Sequence, residues 1–255
     1  MSLSFYRPTA SPRRRMNMFY LLDTSASMKY KNRLKDLNRA MRDVLPILRD
    51  VSTQNHDMCD IYLSCIQFGN EARLIDAEPV DVHDYEWRDV EASGYTNLRD
   101  AFALLEQQMH RGEAMSSNTQ HVRPAVFLVS DGDPDDGWRE GLEALQRNEW
   151  FKQAYKIAIA IGCKPENIAM QAALNEFSRP LSAGGDPIII NVQELGKLHD
   201  VIRIVSATVS RVGTRAVPQR GTDVATAMGQ EIRATLPTDD GGILVNNPNQ
   251  EGSYY

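Results

Sequence analysis

The chain has 255 residues, 42% of them hydrophobic and 24% charged, with a formal net charge of -6. That length and composition suit one α/β domain with an appendage and exclude wholesale disorder. The negative charge disfavours nonspecific binding to nucleic acid or anionic membrane, and no apolar run approaches the ~18 residues that span a bilayer.

Residues 1–15 carry Pro8, Pro12 and the basic triplet Arg13-Arg14-Arg15, and read as a flexible arm. Only about five apolar residues lie between the triplet and Asp23, too few for a secretory segment, so a cytoplasmic location is expected. Met18 to Leu22 reads as a strand buried on both faces. A helix is predicted over Tyr30 to Gln54, with Leu34, Leu37, Met41, Val44, Leu45 and Leu48 on one face. Pro46 should kink or split it. Cys59 to Phe68 is a second strand, and Gly69-Asn70 turns it into a short antiparallel edge strand at Ala72 to Ile75.

Glu78 to Glu91 is acidic and irregular, and a small-residue loop from Ala92 to Asn97 precedes a helix over Leu98 to Arg111. A polar linker, Gly112 to His121, leads to a buried strand, Val122 to Val129. Then come a helix (Trp138 to Phe151), a strand (Tyr155 to Ile161), a helix (Pro165 to Phe177), a strand (Ile188 to Ile190) and a helix (Leu195 to Val209). This alternation predicts an α/β fold: a doubly wound, mostly parallel sheet with one antiparallel edge strand and helices on both faces. The domain is expected over 16–211. Residues 212–255, rich in proline, glycine and asparagine, read as a largely disordered tail with room for a short helix around Val224 to Ala234. The three cysteines, Cys59, Cys65 and Cys163, match no zinc spacing and read as reduced, packed thiols.

Three loops carry the chemistry. Asp23, Ser25 and Ser27 follow the first strand, Thr96 precedes a helix, and Asp131 follows a later buried strand. Parallel strands end on one edge of the sheet, so these loops can converge. Two carboxylates and three hydroxyls are hard oxygen donors, suited to Mg²⁺ or Mn²⁺ and poorly suited to zinc. Asp-Thr-Ser taken alone is also ordinary helix-cap chemistry. An acid followed by hydroxyls after a buried strand also occurs in haloacid-dehalogenase phosphatases. Those need a second acid two residues on, and here that position is Ser25. No glycine-rich phosphate loop with lysine is present, so a Mg²⁺-dependent phosphatase is the remote alternative.

Asp23-Thr24-Ser25-Ala26-Ser27, Thr96 in a small-residue loop and Ser130-Asp131-Gly132 together resemble the metal-ion-dependent adhesion site (MIDAS) of von Willebrand factor type A (VWA) domains. The wider motifs, Phe19 to Met28, Gly94 to Leu98 and Leu128 to Asp136, are most similar to the bacterial tellurite-resistance TerY subgroup; Ala26 stands where that family usually has glycine. The resemblance implies a VWA fold and a Mg²⁺ or Mn²⁺ site made by Asp23, Ser25, Ser27, Thr96 and Asp131. It also implies a non-enzymatic adaptor whose protein partner offers an Asp or Glu carboxylate to the metal. Gly94, Tyr95, Asn97, Asp133 and Trp138 are then the expected partner-binding residues, with Trp138 alternatively a core residue at a helix start. Asp133, Asp135 and Asp136 are expected to form a solvated rim. The implied partners are a Ser/Thr protein kinase and a PPM-type phosphatase in a stress or phage-defence system, with a MoxR- or chelatase-type AAA+ ATPase as the alternative.

Overall fold

The computed structural model describes residues 14–55, 59–110, 120–164, 166–180, 187–215, 224–237 and 242–245. Its first strand, β1 (Arg14–Asp23), lies in the middle of the sheet. Met16, Met18, Tyr20 and Leu22 point into one core layer, and Phe19 and Leu21 into the other. Both faces of β1 are covered, which is why its sequence is apolar without alternation.

A 3₁₀ segment (Ala26–Asn32) leads into α1 (Arg33–Gln54). The helix expected from Tyr30 starts later because Lys31 and Asn32 have φ of 52° and 64°, outside the right-handed helical region. Pro46 does not split the helix: α1 runs through it as one element. Pro46 and Arg42 lie on the exposed face, where the carbonyl that the proline leaves unbonded can meet water.

β2 (Cys59–Phe68) pairs in parallel with β1, and β3 (Ala72–Leu74) returns antiparallel at the edge. The irregular stretch that follows contributes β4 (Val80–Asp81), also antiparallel to β2. Next come α2 (Leu98–His110), β5 (Gln120–His121) and β6 (Ala125–Ser130), the two strands pairing in parallel with β1. The helix expected over Trp138 to Phe151 is two, α3 (Trp138–Gln146) and α4 (Glu149–Gln153). Asn148 divides them, its side chain accepting from the backbone N–H of Trp150 at 2.9 Å and Phe151 at 3.2 Å. This is N-cap chemistry that starts a new helix.

β7 (Tyr155–Ile161), α5 (Ile168–Ser178), β8 (Ile188–Val192) and α6 (Leu198–Arg215) complete the expected alternation. The strand order is β3-β2-β1-β6-β7-β8, closed by a further edge strand, β9 (Ile243–Val245), antiparallel to β8. Helices α1, α6 and α7 (Val224–Thr235) supply one core layer; α2, α3, α4 and α5 supply the other.

In the tail, α7 lies where a short helix was expected, and β9 is a strand that was not expected. Met228, Ile232, Leu236 and Ile243 of α7, its C-terminal end and β9 are buried in the α1/α6 layer. Burial of each such side chain is worth about 1.5–3 kcal/mol, enough to hold the helix and to add a strand to the sheet edge. Likewise the basic arm is expected to end at residue 15, yet Arg14 and Arg15 already belong to β1; residues 1–13 and most of 216–255 lie outside the described residues. No helix among the described residues is long and apolar enough to cross a membrane. All three cysteines are free and buried, as expected.

Candidate metal centre

The chain leaves β1 toward β2 on one side and reaches β6 on the other, so a crevice opens beyond the carboxyl ends of β1 and β6. That reversal is where doubly wound sheets place ligands. Asp23 ends β1 and Asp131 follows β6 directly.

Asp23 is fully buried. One of its carboxylate oxygens accepts from the Ser25 backbone N–H at 2.7 Å, the other from the Ser130 hydroxyl at 2.6 Å. Burial pushes its pKa up to about 6 against the pull of the Ser130 and Ser25 hydrogen bonds, and the nearby Asp131 adds to the rise. A carboxylate held in so dry a place favours an added cation.

The Ser25 and Ser27 hydroxyls are 2.8 Å apart, and Ser27 donates to Asp131 at 2.6 Å. The Thr96 hydroxyl joins them across Gly132. A Cβ on Gly132 would stand 2.9 Å from Thr96 Oγ1 and 3.6 Å from Ser27 Oγ. Glycine at 132 therefore keeps open the space the hydroxyls share. The structure brings Asp23, Ser25, Ser27, Thr96 and Asp131 to one place.

The loops are sewn together through their backbones. Ser93 N–H donates to Thr24 O at 2.7 Å and Ala26 N–H to Gly94 O at 2.9 Å, joining the first loop to the second. Gly94 has φ +72°, and a side chain there would collide with Asn70. The third loop is fastened by Asp135. Its Oδ1 accepts from Leu98 N at 2.7 Å and Arg99 N at 3.1 Å, its Oδ2 from Gly137 N at 3.2 Å, and its own N–H donates to Thr96 O at 3.1 Å. Asp135 thus caps α2 from a distant loop and is not the solvated rim residue expected; Asp133 and Asp136 are exposed.

The partner-binding candidates separate. Tyr95 is 84% exposed beside Thr96, whereas Trp138 is 3% exposed, packed in the core with Arg139 stacked over it. Trp138 is thus the core residue at a helix start, the alternative already visible in its position. Asn97 caps α2 by accepting from Asp100 N at 3.0 Å, while its amide donates to Asp100 and to Asn70 O. Gly94 is half-buried and Asp133 exposed.

Two contributors lay outside the motif reading. Ser130 is 4% exposed and supports Asp23; its place inside Ser-Asp-Gly was the available signal. Arg33 pairs with Asp131, and nothing local in the sequence marks it. Among the described residues no three His, Cys, Asp or Glu side chains cluster as a metal site; the oxygens gathered at this crevice are those of two carboxylates and three hydroxyls. Those donors fit a hard divalent cation.

A scan against protein-family models and a search of curated proteins found no match. Solved structures do match. The chain is similar to VWA2, the ArnB paralog of Sulfolobus acidocaldarius, with 18% identity over 76% of this chain and 46% of that one, at a TM-score of 0.50. It is similar to the pilus adhesin SpaC of Lactobacillus rhamnosus GG, with 8% identity over 78% of this chain and 31% of that one, at a TM-score of 0.59. A third is proximal thread matrix protein 1 of mussel byssus with a zinc-occupied MIDAS motif, with 12% identity over 78% of this chain and 46% of that one, at a TM-score of 0.50. The chain thus spans less than half the length of these three proteins. The fold is the VWA fold, an α/β sheet doubly wound with helices.

Proposed function

We propose that this chain is a divalent-cation-dependent protein-interaction module and not an enzyme. The observation that carries the reading is the meeting of Asp23, Ser25, Ser27, Thr96 and Asp131 at the crevice, with Tyr95 exposed at its lip. Asp23, Ser25, Ser27, Thr96 and Asp131 would hold Mg²⁺ or Mn²⁺. The bound ion supplies an electrophilic centre for a partner's Asp or Glu carboxylate. Hydroxyl ligands add no charge, so the ion stays more electrophilic than an all-carboxylate shell would leave it. Tyr95 adds the kind of exposed aromatic surface that interface centres favour.

The residues argue against phosphatase chemistry. Asp23 is buried with both oxygens engaged, which suits an anchor and not a nucleophile. The position that would need a general acid is Ser25, a hydroxyl. The finer reading, an adaptor for a protein kinase and a PPM-type phosphatase in a tellurite or other stress system of the cytoplasm, rests on the sequence resemblance to the TerY subgroup.

The test is a pull-down from the native host with Mg²⁺, repeated in EDTA, comparing wild type with Asp131→Ala. A kinase or phosphatase retained only by metal-loaded wild type is the expected result. An AAA+ ATPase retained in the same way would replace the signalling reading with the machine-adaptor one. Capture that ignores both EDTA and the substitution would overturn the metal-dependent mechanism.

A further inference from the structure

Arg33 is a built-in cation at the centre just described. It is the first residue of α1, and its Nη1 donates to Asp131 Oδ2. The pair is enclosed: the Arg33 side chain is 16% exposed and that of Asp131 0%. Arg33 Nε is buried without a hydrogen-bond partner, so the guanidinium is held there by its charge and not by a complete set of bonds. The turn that aims it is unusual. Lys31 and Asn32, the two residues before it, both sit in the left-handed region, which asparagine adopts readily and lysine seldom does. On the far side, Gly162, at φ +64°, leaves the room Arg33 occupies, since a Cβ there would lie 3.3 Å from Nη2.

With Ser27 on Oδ1 and Arg33 on Oδ2, both oxygens of Asp131 already have donors. A dication entering the site meets a carboxylate that is already neutralised, and meets a positive charge behind it. We infer that Arg33 is an internal counter-cation that holds Asp131 and lowers the affinity for the metal, so that the ion is bound firmly only when a partner carboxylate adds its charge. This deepens the proposed function and rests on its metal site. Arg33 repels the incoming cation and attracts the partner's carboxylate, so the carboxylate's charge offsets the repulsion that the cation meets.

The test is Mn²⁺ binding by EDTA-stripped protein, read by calorimetry and by the free-ion electron paramagnetic resonance signal. Variants are Arg33→Gln, Arg33→Lys and Asp131→Asn, alone and with Arg33→Gln; circular dichroism checks folding. Removing a full charge in contact with a ligand carboxylate should tighten binding by at least about tenfold in Arg33→Gln. Arg33→Lys, which keeps the charge, should bind as wild type does. The metal-free melting temperature should fall in Arg33→Gln, and Mn²⁺ should raise it by more than in wild type. Equal or weaker Mn²⁺ binding by folded Arg33→Gln would overturn the counter-cation role and leave the metal site standing. If Mn²⁺ binding is absent, or survives Asp131→Asn unchanged, the metal reading itself falls, and this inference with it.

Discussion

Asp135 offers the sharpest test of how the centre is assembled, because it is no ligand yet it fastens two of the three loops. Asp135→Ala removes an acceptor from the N–H groups of Leu98 and Arg99 at the start of α2 and from Gly137. Losing a helix N-cap costs about 1 kcal/mol, and the lost charge at the positive end of α2 adds about 0.3–1 kcal/mol. Exposing the Gly137 N–H to a poorer partner adds a few tenths, so about 2 kcal/mol in all is expected. Asp135→Asn keeps an acceptor oxygen and loses only the charge, so it should cost about 0.5–1 kcal/mol. Urea unfolding at neutral pH measures both. The same variants should bind Mn²⁺ more weakly, because the Asp135 side chain positions the start of the helix that begins beside Thr96. If Asp135→Ala costs under about 0.5 kcal/mol, the clamp is not real. If Asp135→Asn costs as much as Asp135→Ala, the effect is one of charge and not of capping.

Gly132→Ala introduces a Cβ 2.9 Å from Thr96 Oγ1, so the threonine must turn away; Mn²⁺ affinity should drop by about 10- to 100-fold with every ligand still present, and calorimetry that finds wild-type affinity would refute the shared space. Lys156 is largely buried with its ammonium 4.9 Å from the Phe151 ring, and burial lowers its pKa to about 8. Below that value the native state carries a charge it would rather lose, while the unfolded chain stays protonated up to about 10.5. Stability should therefore rise with pH between about 8 and 10.5, and Lys156→Met should gain roughly 1–2 kcal/mol at pH 7, a gain that fades across the same window. A gain that persists at pH 11 would assign it to packing.

Much of this molecule is local in origin. β1, β6 and β7 are apolar at consecutive positions because both their faces are covered, and that pattern needs no knowledge of which helices cover them. Alternation with amphipathic helices then dictates a parallel sheet, and a parallel sheet puts Asp23, Ser25, Ser27 and Asp131 on one edge. Thr96 needed only to precede a helix. What the sequence could not determine are the partners of side chains whose neighbours are distant in the chain. Asp133, Asp135 and Asp136 look alike, yet only Asp135 meets the N-terminus of α2, which begins 37 residues earlier. Trp138 was equally suited to a contact or a core place until α3 turned it inward. Arg33 reads as one more polar residue on a helix until the fold sets it against Asp131, 98 positions away. The last segment shows the same limit: Met228, Ile232 and Ile243 are too sparse to announce a core, and only the open flank of β8 and α6 gives them something to bury against. Composition and periodicity report what each residue prefers; the tertiary structure decides which of those preferences finds a partner.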